Sequence, residues 1–345
     1  MTDAMKFGLF VPQGWRLDLV GIEPADQWDA MLRVAKHAED GPWESIWVYD
    51  HFHTVPLPTE EATHEAWTLM AAFAAATDRI RLGQMCTCMA YRNPAYLAKV
   101  AATVDIVSDG RTEMGIGAGW YEHEWRAYGY GFPSAGDRLG ALDEGVDIMR
   151  QMWKNGEATL DGKYYQVDGA LGYPKPLQDG GIPLWIAGGG EKVTLRIAAK
   201  YARPVGHTEP GTFTEYTNFG GGDIDVFRHK SDVLAEHCRD LGTDFDAITR
   251  SSNFNVVIAE TEADVQDQLA QIEARFAKLL PPDRVERSMA QLRESPATGT
   301  PEQVAEAIAA VRDAGMKYAI CYIPQAAYDP SSVQVFADKV IPELT

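Results

Sequence analysis

The sequence predicts a (β/α)8 barrel, the TIM-barrel fold, formed by a single domain of residues 1–345. Two observations predict this fold class. Eight apolar runs of strand character alternate with segments of helical period, and no change of composition between them marks a linker. A chain of 345 residues with 46% hydrophobic residues can also bury a core of that size. An open doubly wound sheet is the less favoured arrangement of the same elements.

The strand candidates are short runs bounded by polar or turn-forming residues. In chain order they are residues 6–11 (KFGLFV), 45–49 (SIWVY), 80–86 (IRLGQMC), 112–116 (TEMGI), 183–187 (PLWIA), 216–219 (YTNF), 253–259 (NFNVVIA) and 318–323 (YAICYI). The helix candidates are residues 24–39, 64–77, 93–108, 136–155, 191–201, 223–242, 301–314 and 329–340. Asn93 before Pro94, and Thr300 before Pro301, each place a capping residue ahead of a first-turn proline, which is a helix start signal.

Two segments depart from the plain repeat. Residues 260–300 form a polar insertion with helical stretches of its own, and they follow the seventh strand candidate. Barrel active sites form at that end of the strands, so the insertion is a candidate lid or substrate wall. Residues 203–215 are turn-rich and lie between a helix and a strand, which predicts an extra loop at the opposite end of the barrel, solvated or in a subunit contact.

The charge balance excludes several classes of partner. With 50 acidic and 31 basic residues, the net charge of −19 repels nucleic acid and anionic lipid. No apolar run approaches the roughly 20 residues that span a bilayer, and the first residues show no signal-peptide pattern, so we expect a cytoplasmic protein. The four cysteines, Cys86, Cys88, Cys238 and Cys321, are expected to be reduced thiols in or near the core.

The second strand candidate ends in the titratable cluster Asp50-His51-Phe52-His53. In a barrel, residues at the carboxyl end of a strand face the region where catalytic groups collect. Histidine titrates near neutral pH, and Asp50 could fix its tautomer or hold its charge, so His51 and Asp50 are the candidate catalytic pair. A histidine satisfied by backbone groups is the structural alternative. His51 and His53 also have the spacing of metal ligands in a hydrolase, but strands five to eight end without the further histidines that such a site needs.

Three glycines follow the fifth strand candidate, in WIAGGGEKVTLRIAAKYA. A strand that runs through glycines into a helix exposes backbone N–H groups, and a phosphate can approach them because no Cβ is in the way. Gly188, Gly189 and Gly190 are therefore the candidate phosphate site, with Thr194 as an extra donor and Glu191 expected to face solvent. Glycines that serve only as turn residues are the alternative.

Two further strand ends carry candidate residues. The fourth strand continues into GIGAGWYEHEW, where alternate glycines are weak evidence but the aromatic residues after them suit a flat ring system. Such a loop also packs commonly against a neighbouring helix. The third strand ends at Met85-Cys86-Thr87-Cys88, and the chain shows no arrangement of cysteine, histidine and aspartate that is typical of a thiol nucleophile.

Taken in order, these stretches resemble the bacterial luciferase-like superfamily of flavin and deazaflavin oxidoreductases, and within it the branch that uses coenzyme F420. The resemblance covers nearly the whole chain, in FGLFVPQGW, WVYDHFH, YRNPAYLAKVAATVDIVSDGR, GIGAGWYEHEW, YPKPLQ, PLWIAGGGEKVTLRIAAKYA and TNFGG. It implies a TIM barrel that transfers a hydride between F420 and a small organic substrate, and it suggests a homodimer.

The resemblance also implies roles for particular residues. Asp50 and His51 would lie beside the deazaflavin ring, with His51 as acid/base or charge stabiliser. Met85 and Cys86 match a bulge with a non-proline cis peptide behind the ring. The cofactor loop after strand four is matched by Gly117, Ala118 and Gly119. The phosphate site is matched by Gly188, Gly189 and Gly190, with Thr194 beside it.

The substrate side differs from one branch of the family. Trp120 stands where the sugar-phosphate dehydrogenases have a glutamate, which indicates a less polar substrate bound by Trp120 and His123. An FMN-dependent monooxygenase is the chief enzymatic alternative, because FMN presents a similar ring and a ribityl phosphate. A barrel that has lost its cofactor and serves as an accessory subunit is the non-enzymatic alternative. The sequence leaves the substrate and the direction of hydride transfer open.

Overall fold

The computed structural model describes residues 4–345. Its strands are β1 (Lys6–Phe10), β2 (Ser45–Val48), β3 (Arg81–Gln84), β4 (Thr87–Cys88), β5 (Thr112–Gly117), β6 (Glu157–Asp161), β7 (Gln166–Leu171), β8 (Leu184–Ala187), β9 (Thr214–Gly221), β10 (Thr249–Asn255), β11 (Val257–Ile258), β12 (Thr298–Gly299) and β13 (Tyr318–Tyr322). Its α-helices are α1 (Gln27–Asp40), α2 (Ala66–Ala76), α3 (Pro94–Val107), α4 (Glu122–Ala127), α5 (Ala135–Asn155), α6 (Thr194–Lys200), α7 (Ile224–Leu241), α8 (Glu262–Phe276), α9 (Pro282–Arg293), α10 (Pro301–Asp313), α11 (Ser331–Val335) and α12 (Ile341–Leu344).

All eight predicted strands are confirmed, with shifts at their ends. The seventh begins earlier than predicted, at Thr249, and its expected end forms the separate short strand β11. The predicted helix 329–340 is instead α11 followed by a π-helical turn at Phe336–Val340. The antiparallel hairpin of β6 and β7 and the short helix α4 are additional elements that were not expected from the sequence.

Contacts divide the chain into two compact units. The first contains the described part of Met1–Glu65 together with Gly220–Arg228 and Arg250–Thr345. Its parallel sheet has β1 between β2 and β13, and β13 also pairs with β10. β2 and β13 are buried along their whole length, as expected for parallel strands that are covered on both faces.

The second unit contains Ala66–Phe219 and His229–Thr249. Its parallel sheet has β5 at the centre, paired with β3 and β4 on one side and with β8 on the other, and β8 pairs with β9. The two pieces β3 and β4 interrupt the predicted third strand at the cis peptide bond between Met85 and Cys86. All six residues of β5 are buried.

The insertion of residues 260–300 is a packed part of the first unit. It contains α8, α9 and β12, and β12 pairs with β11. Leu269, Ile272 and Met289 from its two helices are buried in a cluster that also includes Leu17 and Val20. A role as a lid stays a prediction.

The side chain of Arg111 connects α2, α3 and the start of β3 within the second unit. Its buried guanidinium donates hydrogen bonds to five oxygen atoms, which belong to the carbonyls of Ala74, Thr77, Ile80 and Ser108 and to the Thr77 hydroxyl. The carbonyls of Ala74 and Thr77, at the end of α2, thereby gain hydrogen-bond partners.

Other expectations concern the surface and the thiols. All four cysteines are free, and Cys86 is the one that is partly exposed. The loop predicted at 203–215 ends earlier than expected, because Thr214 and Glu215 already belong to β9. Among residues 4–345, the structure has no helix that is long and apolar enough to cross a membrane.

Candidate functional site

Gln13 fixes the backbone at the end of β2, directly before the candidate catalytic pair. Its side-chain amide donates to the carbonyl oxygens of Tyr49 at 2.7 Å and His64 at 2.6 Å. Its Oε1 accepts from the Tyr49 N–H at 2.7 Å. Asp50 is buried and His51 is half-buried. All these groups belong to the first unit, so hydrogen bonds within that unit fix the backbone directly before Asp50 and His51.

Trp15 packs against the ring of His51. The two rings are stacked, with centroids 4.1 Å apart and an interplanar angle of 3°. Trp15 also contacts Tyr49, with centroids 4.2 Å apart. The indole Nε1 of Trp15 is buried and has no hydrogen-bond partner among the described residues. A buried N–H without an acceptor calls for an explanation, and here it lies on a side chain stacked on the candidate catalytic histidine.

Charged and phenolic groups are buried beside this aromatic pair. The Arg16 guanidinium lies 3.9 Å above the Tyr322 ring centroid. Burial raises the pKa of Asp18, although the charge of Arg16 acts in the opposite direction. Burial also raises the pKa of Tyr49 above its ordinary range, so the phenol keeps its proton. The first unit therefore has a fixed positive charge, that of Arg16, among buried groups in contact with the end of β2.

In the second unit, Cys86 and Gly117 lie in contact at the carboxyl ends of adjacent strands. The Met85–Cys86 peptide bond is cis, which confirms what the resemblance implied. An ideal Cβ on Gly117 would lie 2.8 Å from Cys86 Sγ and 3.1 Å from the Ala187 carbonyl oxygen. Only glycine therefore fits at this position without displacing a neighbour. Ala118, the next residue, is half-buried.

The aromatic residues after β5 are divided between core and surface. Gly119 packs against Cys88 and against Trp125, which is buried. Trp120 is 61% exposed and stacks on Tyr121, with centroids 5.2 Å apart. His123 is exposed, and its ring lies 6.1 Å from that of Tyr121. The structure thus places Trp125 against Gly119, while Trp120, Tyr121 and His123 form a row of rings whose two end members are exposed.

The glycine loop after β8 contains the candidate phosphate-binding residues. Gly188 donates its N–H to the carbonyl oxygen of Asn218 at 3.0 Å. An ideal Cβ on Gly190 would lie 2.8 Å from Thr194 Oγ1, so the hydroxyl of the largely buried Thr194 is beside the loop. Glu191 faces outward as expected, and its Oε1 lies 3.1 Å from His229 Nε2. The predicted helix start was wrong. α6 begins at Thr194 and has seven residues, so it supplies only a weak dipole at the glycines.

The metal-site alternative has a direct structural test. Within residues 4–345, no group of three or more histidine, cysteine, aspartate and glutamate side chains is arranged to hold a metal ion. The pair His51 and His53 therefore has no third ligand of these types in the described chain.

Comparison with known proteins gives the family. The family model described as luciferase-like monooxygenase matches residues 5–318 of this chain. The chain belongs to the luciferase-like monooxygenase family. A curated relative in this group is the F420-dependent glucose-6-phosphate dehydrogenase of Amycolatopsis mediterranei, which is 33% identical over 180 residues. That match covers 51% of this chain, and the chain spans about half, 51%, of the relative's length.

Solved structures support the fold of this luciferase-like protein. An F420-dependent secondary alcohol dehydrogenase, in complex with an F420-acetone adduct, matches with a TM-score of 0.76 at 21% identity, over 99% of both chains. A monooxygenase from Streptomyces bottropensis matches with a TM-score of 0.75 at 19% identity, over 99% of this chain and 100% of the other. These likenesses confirm the predicted (β/α)8 barrel. They do not choose between the dehydrogenase and the monooxygenase activity of those two proteins.

Two residues of this region, Gln13 and Trp15, were not predicted from the sequence. Gln13 and Trp15 lie in the stretch PQGW just after β1, and neither was assigned a role. A glutamine and a tryptophan at the end of a buried strand were the available signal, since buried polar groups need specific partners.

Proposed function

We propose that the chain is an F420-dependent oxidoreductase that transfers a hydride between the deazaflavin and a small, fairly apolar organic substrate. The observation that carries this proposal is the combination, at the end of β2, of His51 with the stacked Trp15 and its unpartnered N–H. The resemblance implies that this strand end lies beside a cofactor ring. The F420-dependent relatives support the choice of cofactor.

Three features of the described residues fit such a cofactor. The Trp15 N–H is a buried donor for a ring heteroatom. The N–H groups of Gly189 and Gly190 form no backbone hydrogen bond within residues 4–345, and the Thr194 hydroxyl lies beside Gly190, so both kinds of donor suit a phosphate. We assign ring contacts to Met85, Cys86 and residues 117–119, and phosphate contacts to residues 188–190 and Thr194.

His51 is the acid/base group in this proposal. When bound, F420 supplies two-electron hydride chemistry, because its ring has a carbon in place of the reactive nitrogen of a flavin. The chain then has to orient the substrate and hold one proton. Trp15 fixes the His51 ring by stacking, and Gln13 fixes the backbone before it. We assign substrate contacts to Trp120 and His123, and their exposure fits a substrate that enters from solvent.

The decisive experiment is a fluorescence titration of the purified protein with F420 and, separately, with FMN, with metals assayed on the same sample. We expect tight F420 binding, weaker FMN binding and no stoichiometric metal. Preference for FMN would replace the proposal by the FMN-dependent monooxygenase. Stoichiometric zinc without either cofactor would point to the metal hydrolase.

The histidine variants test the catalytic assignment. His51→Asn should bind F420 with nearly unchanged affinity but lose turnover by about 100-fold or more with any substrate found in a screen of alcohols and sugar phosphates. His53→Asn is the matched control, because it makes the same change two residues away and should keep most of the activity. Full activity of His51→Asn would exclude His51 as the acid/base group.

Two further expectations go with this proposal. We infer a homodimer, which light scattering on the purified chain would test. We also infer a cytoplasmic location, which fractionation of the source cells would test.

A further inference from the structure

Three side chains of α7 contact the glycine loop in the second unit. His237 Nε2 lies 2.8 Å from the carbonyl oxygen of Glu191, and His229 Nε2 lies 3.1 Å from the carboxylate of the same residue. Between them along the helix, the ammonium of Lys230 lies against Gly189, only 1.7 Å from the point that an ideal Cβ would occupy. The absence of a side chain at Gly189 is therefore what admits the Lys230 ammonium to the loop.

Lys230 is an uncompensated cation at this position. It forms no ion pair within residues 4–345, although the chain has a net charge of −19. The nearest acidic residue of the loop, Glu191, directs its carboxylate to His229. Lys230 is also half-buried, so its charge is less screened by water than that of a fully exposed lysine. An anion at the loop would thus contact a positive charge that no carboxylate within residues 4–345 already pairs with.

The loop itself offers only neutral donors. In the described part of the chain, the N–H groups of Gly189 and Gly190 form no backbone hydrogen bond, and Thr194 adds a hydroxyl. α6 is too short and begins too late to supply a strong dipole at the glycines. A phosphate at this loop therefore needs its counter-charge from a side chain, and a lysine ammonium is suited to a phosphate as a point charge.

We propose that Lys230 is a ligand-binding residue that supplies the positive charge for the phosphate group held by Gly188–Gly190 and Thr194. The inference rests on the proposed function for the identity of the ligand, a phosphodiester in F420 or a phosphomonoester in FMN. It adds a residue from α7 to a site that the sequence assigned to β8 and α6 alone.

The test measures the affinity of the full chain for three deazaflavins by fluorescence titration. The first lacks the phosphate, the second has the phospholactyl group but no glutamates, and the third is complete F420. Lys230→Gln should weaken the second and third by about tenfold or more, and should change the affinity for the first by less than roughly twofold. Lys230→Arg should retain most of the affinity, because it keeps the charge.

Lys192→Gln is the matched control. It removes the same charge from an exposed lysine two residues beyond the glycines, and it should leave all three affinities within roughly twofold. Equal effects of Lys230→Gln on all three ligands, or equal effects of the two variants, would overturn the inference. A loss confined to complete F420 would also overturn it, since the charge would then serve the glutamate carboxylates.

Failure of the proposed function is distinguishable from failure of this inference. A wild-type chain that binds no deazaflavin but binds FMN refutes the proposed function, and the comparison of FMN with riboflavin then tests Lys230 in the same way. A wild-type chain that binds F420 tightly, with no change in Lys230→Gln, refutes the Lys230 inference alone.

Discussion

Replacement of Gly115 or Gly117 by alanine should have very different effects, although the two glycines lie in the same strand. At Gly115 an ideal Cβ would lie 1.9 Å from the backbone carbonyl oxygen of Gln84. Non-bonded heavy atoms normally stay about 3.5 Å apart, so β3 would have to withdraw from β5 by more than about 1 Å. Because this separates paired strands, we expect a loss of more than about 4 kcal/mol in the free energy of unfolding.

At Gly117 the nearest obstacle is a side-chain atom. An ideal Cβ would lie 2.8 Å from Cys86 Sγ, and the next contact is at 3.1 Å, to the Ala187 carbonyl oxygen. Gly117→Ala should therefore lower the free energy of unfolding by about 1–3 kcal/mol, the usual range for overpacking. In a Cys86→Ala background the sulfur is gone, and the loss should fall below about 1 kcal/mol. The two substitutions should thus be coupled by about 1–2 kcal/mol.

Urea denaturation of five variants measures these differences. The set contains Cys86→Ala, Gly117→Ala, Gly115→Ala and the two double variants with Cys86→Ala, and unchanged m-values would allow the free energies to be compared directly. The steric reasoning is refuted if Gly117→Ala has the same effect in both backgrounds. It is equally refuted if Cys86→Ala rescues Gly115→Ala, whose obstacle is backbone.

Two further predictions concern buried polar side chains. Arg111→Lys cannot form the five hydrogen bonds of the guanidinium and should lower the free energy of unfolding by about 2–4 kcal/mol. Arg126→Lys is the control, because Arg126 belongs to an exposed ion pair, and it should change the free energy of unfolding by less than about 0.5 kcal/mol. Burial lowers the pKa of His64 below 6.5, so the folded state favours the neutral imidazole. The contribution of His64 to the free energy of unfolding is therefore complete above pH 6.5. It is lost as the pH falls from there through the pKa of the folded state. Urea denaturation at about pH 7.5 and about pH 5 measures how much of the free energy of unfolding is lost between the two pH values. This loss should be smaller for His64→Asn than for the wild type, and equal losses would contradict the assignment.

The sequence predicted those parts of the fold that depend on local pattern. Each barrel strand is a buried apolar run, and such runs are visible in the sequence without knowledge of their partners. The hairpin of β6 and β7 was missed because most of its residues are exposed and it lacks the continuous apolar run that marked the other strands. The cis bond before Cys86 could be expected only from the family resemblance, since nothing in the local residues predicts it.

The candidate site was predictable only in part, because its contacts join distant residues. The sequence indicated His51 and the glycine loop through their place at strand ends. It did not indicate Gln13, whose partner Tyr49 lies 36 residues away in the chain. Lys230 and Gly189 are likewise far apart in sequence, and a lysine in an amphipathic helix gives no sign of what it contacts.

The pairing of the first barrel strand with the last has a consequence for how the chain is made. Leu9 pairs with Cys321, so the edge of β1 stays open until roughly 300 more residues have been synthesised, about 15–60 s at ordinary rates of translation. The sheet of the second unit needs no residue after β9, and all its strands are available much earlier. Until β13 has been made, the side of β1 that pairs with it is an open, apolar strand edge, the kind of edge that can pair with another chain.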